Sequence, residues 1–301
     1  MDFKQLESFV AITKHGSFTK AAEELYLTQP TLTGHIQALE AKLGTVLLNR
    51  CGKVVTLTDA GKILYNYAVN ILNTREQAFF SLAQYEGKLE GELAIAASTV
   101  PQGYILPGLL AAFNRAYPDI GYIIRQYDSR GVVEAIVSGI MDFGFVGTRP
   151  SYPELEILRL CKDYLVLITP AKGKFKNIAD KELTWEQVRN ERFILREEGS
   201  ATRAIFLEAL GEKGIMVENL HIVANIENPE TIKGCVREGL GVAIVSQRSV
   251  EEDISSGLLK SYYISDLGLQ RHFYFICHKN RVLSPIARAF RDFTVQYRQG
   301  L

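Results

Sequence analysis

The sequence predicts a multidomain chain: an α-helical winged helix-turn-helix, a long linker helix and a two-lobed α/β domain. Three observations carry that prediction. Residues 17–50 spell two short helices joined by a tight turn, residues 59–90 space their apolar side chains alternately four and three apart, and beyond Gly91 short apolar strands alternate with helices.

The first segment is built from recognisable stops and starts. Asp2 and Gln5 fit a capping box, and Leu6, Phe9 and Val10 give the first helix an apolar face. Ser17 is suited to N-cap a second helix whose Ala21, Ala22 and Leu25 permit a close crossing. Thr28 caps a third helix, Pro30 falls in its first turn where an amide has no intrahelical partner, and Gly44 stops it. In that helix Leu32, Ile36, Leu39 and Leu43 form one stripe. The opposite side carries Gln29, Thr31, Gly34, His35 and Ala38, small or hydrogen-bonding groups that can approach base edges, with Thr33 at the boundary; Gln29, Thr31, Thr33 and His35 are the candidate DNA-binding residues. VLLNR and VVTLT then predict a two-stranded wing around Cys51, Gly52 and Lys53, with Arg50 and Lys53 placed where phosphates pass. By spacing alone, a small helical adaptor without a nucleic-acid partner remains the alternative.

Charge adds little to the DNA reading. The chain balances 34 basic against 34 acidic residues, and residues 1–58 carry an excess of one positive charge. So weak a field implies poor binding by a single copy, because phosphate neutralisation supplies most non-specific affinity. The means of pairing follows at once. From Thr58 as N-cap, one helix of about 30 residues spans roughly 45 Å. Leu64, Ala68, Ile71, Arg75, Ala78, Leu82, Tyr85 and Leu89 make a heptad seam interrupted at Arg75. Ile63, Tyr67, Leu72 and Phe79 broaden the apolar face, so packing of the helix on its own domain is the alternative.

Past Gly87 and Gly91 the strands ELAIAA, YIIRQY and DFGFVG alternate with helices near 107–117 and 132–138, implying a mostly parallel sheet covered on both faces. The pattern repeats after YLVLITP, with strands near FIL, HIVANI and VAIVS and helices near 201–213 and 229–238. RHFYFICHK and a closing helix over 284–299 are expected to return to the first lobe. The predicted division is 1–58, 59–90 and 91–301, the last split into lobes of about 91–161 plus 267–301 and of 162–266. A cleft between such lobes binds ligands near strand C-termini and helix N-termini. Ser98, Thr99, Gln102, Thr148, Ser200 and Thr202 are the candidate effector-binding residues, suited to a small, anionic metabolite. Glu227 and Asn228 are candidates for the other wall. Simple helix capping is the competing role for every hydroxyl in this set.

Chemical motifs point away from catalysis. Four cysteines at 51, 161, 235 and 277 lack C-x-x-C spacing, and the five histidines do not cluster with them, so no metal or cofactor is expected. Gly239 and Gly241 precede a strand instead of following one, and no G-x-S-x-G elbow occurs. Without a hydrophobic leader or a bilayer-length apolar run, the expected location is the cytoplasm. A cytosolic α/β enzyme with an N-terminal interaction module is the alternative from another class.

GSFTKAAEEL, LTQPTLTGHIQALEAKLG, LLNR and LTDAG resemble the winged helix of LysR-type transcriptional regulators over residues 1–68. ENPETIKGCVREGLGVAIVS resembles, less specifically, their periplasmic-binding-protein-like effector domain. Leu48 stands where the family usually has Phe, and Gly34 is uncommon in its recognition helix. The resemblance implies a regulator that binds an interrupted inverted repeat in double-stranded DNA as a homodimer or homotetramer, contacts RNA polymerase, and answers to a small-molecule effector. Peroxide-sensing members exist, but the wide cysteine spacing here gives that chemistry little support. STVPQGYILP is similar to members associated with sulfur or selenium metabolism, a weak lead to the effector.

Overall fold

The structure is a computed structural model that describes residues 1–50, 54–85, 90–176, 178 and 181–298. Its N-terminal unit packs α1 (Phe3–His15), α2 (Phe18–Glu24) and α3 (Gln29–Leu43), followed by the two-residue strands β1 (Leu48–Asn49) and β2 (Thr56–Leu57). Local chemistry sets these boundaries. Asp2 and Gln5 close a capping box, Ser17 accepts from the Lys20 amide, Thr28 from the Thr31 amide, and Gly44 ends α3 at φ +66°. Leu32, Ile36 and Leu39 are fully buried against Phe9, Ile12 and Ala21. Leu43 departs from the expected stripe: it is 41% exposed, because the helix stops one residue later and its last turn overhangs the core.

The linker helix α4 (Asp59–Tyr85) starts at Thr58, whose hydroxyl accepts from the Gly61 amide at 3.0 Å. Its predicted seam is divided. Leu64, Ala68 and Ile71 pack into the helix-turn-helix core, and Arg75 pairs with Glu7 of α1 at 2.8 Å over the Phe3 ring. The first half of the heptad is therefore spent on the chain's own domain. Ile63, Tyr67, Phe79 and Leu82 face outward instead, each more than 60% exposed. The Tyr85 side chain and Leu89 lie outside the described residues.

In the α/β region the first lobe holds β3 (Gly91–Ser98), α5 (Thr99–Tyr104), α6 (Leu106–Ala116), β4 (Ile120–Tyr127), α7 (Ser129–Val137) and β5 (Phe143–Val146). The 16-residue strand β6 (Leu155–Pro170) then crosses to the second lobe. There follow β7 (Glu182–Leu183), α8 (Trp185–Val188), β8 (Arg192–Leu195), α9 (Ala201–Gly211), β9 (His221–Asn225), α10 (Pro229–Arg237), β10 (Val242–Ser246), α11 (Glu251–Ser255) and β11 (Leu259–Ile264). β12 (Gln270–His278) carries the chain back, and α12 (Pro285–Tyr297) packs on α6 and β3.

The strand order is β4-β3-β5-β12-β6-β10-β8-β9, with β11 also beside β6. The parallel order expected of alternating strands and helices holds within each lobe, and the strands that cross between lobes are the exception. β3 with β4 and β5, and β8 with β9 and β10, are parallel, but β6 and β12 run antiparallel to their neighbours because one strand leaves the first lobe and the other returns. Up to Tyr164, β6 pairs with β12; from Leu165 it pairs with β10. Each lobe is closed by its own aromatics, with Phe113 edge-on to Phe290 at 5.0 Å in one and Trp185 stacked on Phe193 at 5.7 Å in the other.

Linker helix and first lobe are joined by polar bonds. Tyr65 donates to the Gly139 carbonyl at 3.1 Å, and burial pushes its phenol up to about 12. Arg281 lies over the Tyr65 ring, donates to Asn66 Oδ1, and also donates to the carbonyls of Ile136 and Val137 at the end of α7. Asn70 donates to the Asn280 carbonyl and accepts from the Val282 amide.

Candidate DNA interface and ligand cleft

α3 presents Gln29, Thr31, Gly34 and Ala38 to solvent, while Thr33 and His35 are half-buried. Several of these groups are already held. The Thr31 and Thr28 hydroxyls lie 2.8 Å apart, Thr33 donates back to the Gln29 carbonyl, and His35 Nδ1 lies 2.7 Å from the buried Ser8 hydroxyl. Ser8 thereby orients the ring and leaves His35 Nε2 outside this bond. Arg50 pairs with Glu40 at 3.0 Å and lies over the Phe18 ring, so it must share Glu40 to meet a phosphate. Lys53 lies outside the described residues. Tyr26 was not singled out by the sequence: at the turn between α2 and α3 it is 96% exposed, with φ +53°, a left-handed conformation rare outside glycine.

Nothing lies within 4 Å of where a Gly34 side chain would begin. Gly34→Ala is therefore expected to stabilise α3 by roughly 1 kcal/mol, by the intrinsic helix preference of alanine. Thermal unfolding of the full chain reads this, and an unchanged or lowered midpoint contradicts it.

In the second candidate site the two lobes meet at a narrow cleft lined by Ser98, Thr99, Asp128, Ser129, Arg196, Glu197, Ser200, Thr202 and Arg271, among others. The space between these residues is about 10 Å³, about what one water needs. The hydroxyls are not spent on capping. Ser98 and Ser200 occupy the N-cap positions of α5 and α9, yet neither makes a side-chain cap hydrogen bond. Thr99 accepts from Arg196 Nη2 at 3.2 Å across the cleft, and Thr202 accepts from Arg271 Nη1 at 3.1 Å. Asn228 does cap, accepting from the amides of Glu230 and Thr231. Neither Gln102 nor Thr148 lines this cleft or the adjoining cavity.

Two charged residues missed in the sequence dominate the inner end. Arg271, 6% exposed, is the second residue of β12 and lies directly opposite Asp163 of β6, its Nε meeting Asp163 Oδ2 at 2.8 Å. Asp163 Oδ1 accepts in turn from Ser246. Burial pulls the Arg271 guanidinium below its ordinary value, and Asp163 opposes that shift. Its Nη2 has no hydrogen-bond partner among the described residues, a deficit that costs about 1–3 kcal/mol or more for a charged donor. The signal available in the sequence was an opposite-charge pair inside two apolar strands, CKDYLVLITP and RHFYFICH. Beyond Thr99, Asp128 and Glu197 the cleft opens into a cavity of about 500 Å³ whose lining adds Gln126, Tyr127, Glu198 and Glu227.

Among the described residues no three metal-ligating side chains converge, and no helix is long and apolar enough to cross a membrane. Burial raises the Cys161 thiol and pushes that of Cys277 up to about 12, opposite to the shift that activates a thiol for peroxide.

A helix-turn-helix on one side of a linker helix and a ligand cleft on the other define a ligand-responsive DNA-binding protein. Residues 3–62 match the bacterial regulatory helix-turn-helix of the LysR family, and residues 86–299 match the LysR substrate binding domain. The chain belongs to the LysR family of transcriptional regulators. It is 32% identical over 96% of its length, and 93% of the relative's, to the transcriptional activator CmpR of Synechocystis sp.. It is 31% identical over 98% of its length, and 96% of the relative's, to the RuBisCO operon transcriptional regulator of Allochromatium vinosum. A full-length OxyR variant from Pseudomonas aeruginosa shares the fold, with a TM-score of 0.76 at 21% identity over 99% of this chain and 95% of that one.

Proposed function

We propose that this regulator binds an interrupted inverted repeat as a homodimer or homotetramer in the cytoplasm, and that a small molecule held between the two lobes changes its grip on DNA. Catalysis has no part in this reading. The observation that carries it is the inner cleft, where Ser98 and Ser200 hydroxyls are left out of the caps they occupy and Arg271 Nη2 is buried without an acceptor. Related regulators whose structures hold shikimate or 2-PG, and CbnR in complex with its target DNA, support both halves. RNA polymerase is the proposed protein partner, on family resemblance.

On the DNA side, Gln29, Thr31 and His35 read base edges, Thr33 fixes the first turn of α3, and Arg50 and Lys53 meet phosphates. Gln29→Ala and Thr31→Ala are expected to weaken the cognate operator by about 1–3 kcal/mol each while sparing random DNA. Arg50→Ala should weaken both and lower the salt dependence of binding. Gel-shift titrations against both DNAs at several salt concentrations test this, and equal losses for Gln29→Ala on the two DNAs would remove it from base readout. The cleft half is tested by screening metabolites for a rise in unfolding temperature that Ser98→Ala and Ser200→Ala diminish.

A further inference from the structure

We infer that the cleft selects a zwitterion of the amino-acid class, its acid group on Arg271 at the inner end and its ammonium group among carboxylates at the mouth. This rests on the reading that the cleft is the effector site and adds the chemistry of the occupant. The inner requirement is an anion: Arg271 is buried, two of its nitrogens are used by Asp163 and Thr202, and Nη2 is unmet. The outer requirement has the opposite sign. The 500 Å³ cavity at the mouth is lined by Asp128, Glu197, Glu198 and Glu227. Arg196 clamps Glu197 with two bonds of 2.7 Å, while no ion pair engages Asp128, Glu198 or Glu227 among the described residues.

These carboxylates come from both lobes. Asp128 precedes α7 in the first lobe, and Glu197 and Glu198 precede Gly199 in the second. Gly199, at φ +89°, lies so close to Asp128 that a side chain there would begin 2.1 Å from Asp128 Oδ2. Closing the cleft therefore gathers like charges, and a cation between them favours closure. A simple carboxylate or phosphate satisfies Arg271 but leaves the carboxylates at the mouth without a cation. A polyamine satisfies the mouth and leaves Arg271 unmet. A divalent cation has no converging set of three ligands among the described residues. A molecule carrying both charges meets both requirements.

The test titrates the full-length protein calorimetrically with the standard amino acids, with the 2-hydroxy acids that replace each ammonium by hydroxyl, and with the primary amines that lack the carboxylate. The expected result is one or more amino acids binding at least about tenfold tighter than either counterpart. In the Glu198→Gln, Glu227→Gln double variant that preference over the hydroxy acid should fall below about threefold, with the hydroxy acid bound no worse. Arg271→Lys should weaken amino acid and hydroxy acid alike. A hydroxy acid as the tightest binder, or no binding by any amino acid, overturns the zwitterion while an anion-specific cleft still stands. Binding of any probe that ignores both the Arg271 and the glutamate variants overturns it together with the cleft reading.

Discussion

Arg271→Met is expected to destabilise the α/β domain by about 3–5 kcal/mol, the usual cost of leaving one member of a buried ion pair alone. Asp163 is wholly enclosed and would be left with its bond from Ser246 in place of the cation. Adding Asp163→Leu to the same chain should recover most of the loss, since an apolar pair of similar volume removes the stranded charge. Denaturant unfolding of the two variants measures the difference, and equal midpoints would show that the pair contributes little to the fold. The double variant should remain deaf to any effector. A stable domain that no longer responds separates the cation's binding role from its structural one.

The second large effect is expected on the linker helix. Phe79 and Leu82 are 61% and 65% exposed, so replacing either by Asp costs the monomer little, yet it sets a charge in the apolar face available to a second copy. Light scattering should show the mass fall to that of one chain, and operator affinity should drop by about two orders of magnitude or more as half-sites cease to be held together. Unchanged mass would mean that another surface pairs the subunits. Ile71→Asp is no test of pairing, because Ile71 packs into the helix-turn-helix core and its replacement would unsettle that domain first.

The DNA-binding unit was legible because its determinants are local. Ser17, Thr28 and Gly44 act within three or four residues of themselves, and the stripe of Leu32, Ile36 and Leu39 is a property of one helix. The heptad of α4 was legible as a pattern but not as a destination, since spacing does not tell a second copy from the preceding domain. At the cleft, Ser98, Thr99, Ser200 and Thr202 could be found from their places between strand and helix. Arg271 and Asp163 could not: 108 positions separate them in the chain, and only the antiparallel register of β12 on β6 sets them face to face. Pro101 and Gly103 disguised α5 as a loop, and the reversed direction of β6 and β12 follows from a crossing between lobes that no local signal records.

Helix α7 touches the cleft at one end and the linker helix at the other. Asp128 caps its first turn by accepting from the Gly131 amide, and Arg281 ties its last carbonyls to Asn66 beneath the Tyr65 ring. It is in effect a rod about 14 Å long whose Val132 and Ile136 pack in the first lobe's core. A tilt of about 5° at the cleft end displaces the far end by about 1 Å, the size of shift that repacks helices at allosteric interfaces. A stroke of that size at the cleft is enough to reach the contacts that Arg281 makes with Asn66 and the Tyr65 ring of the linker helix.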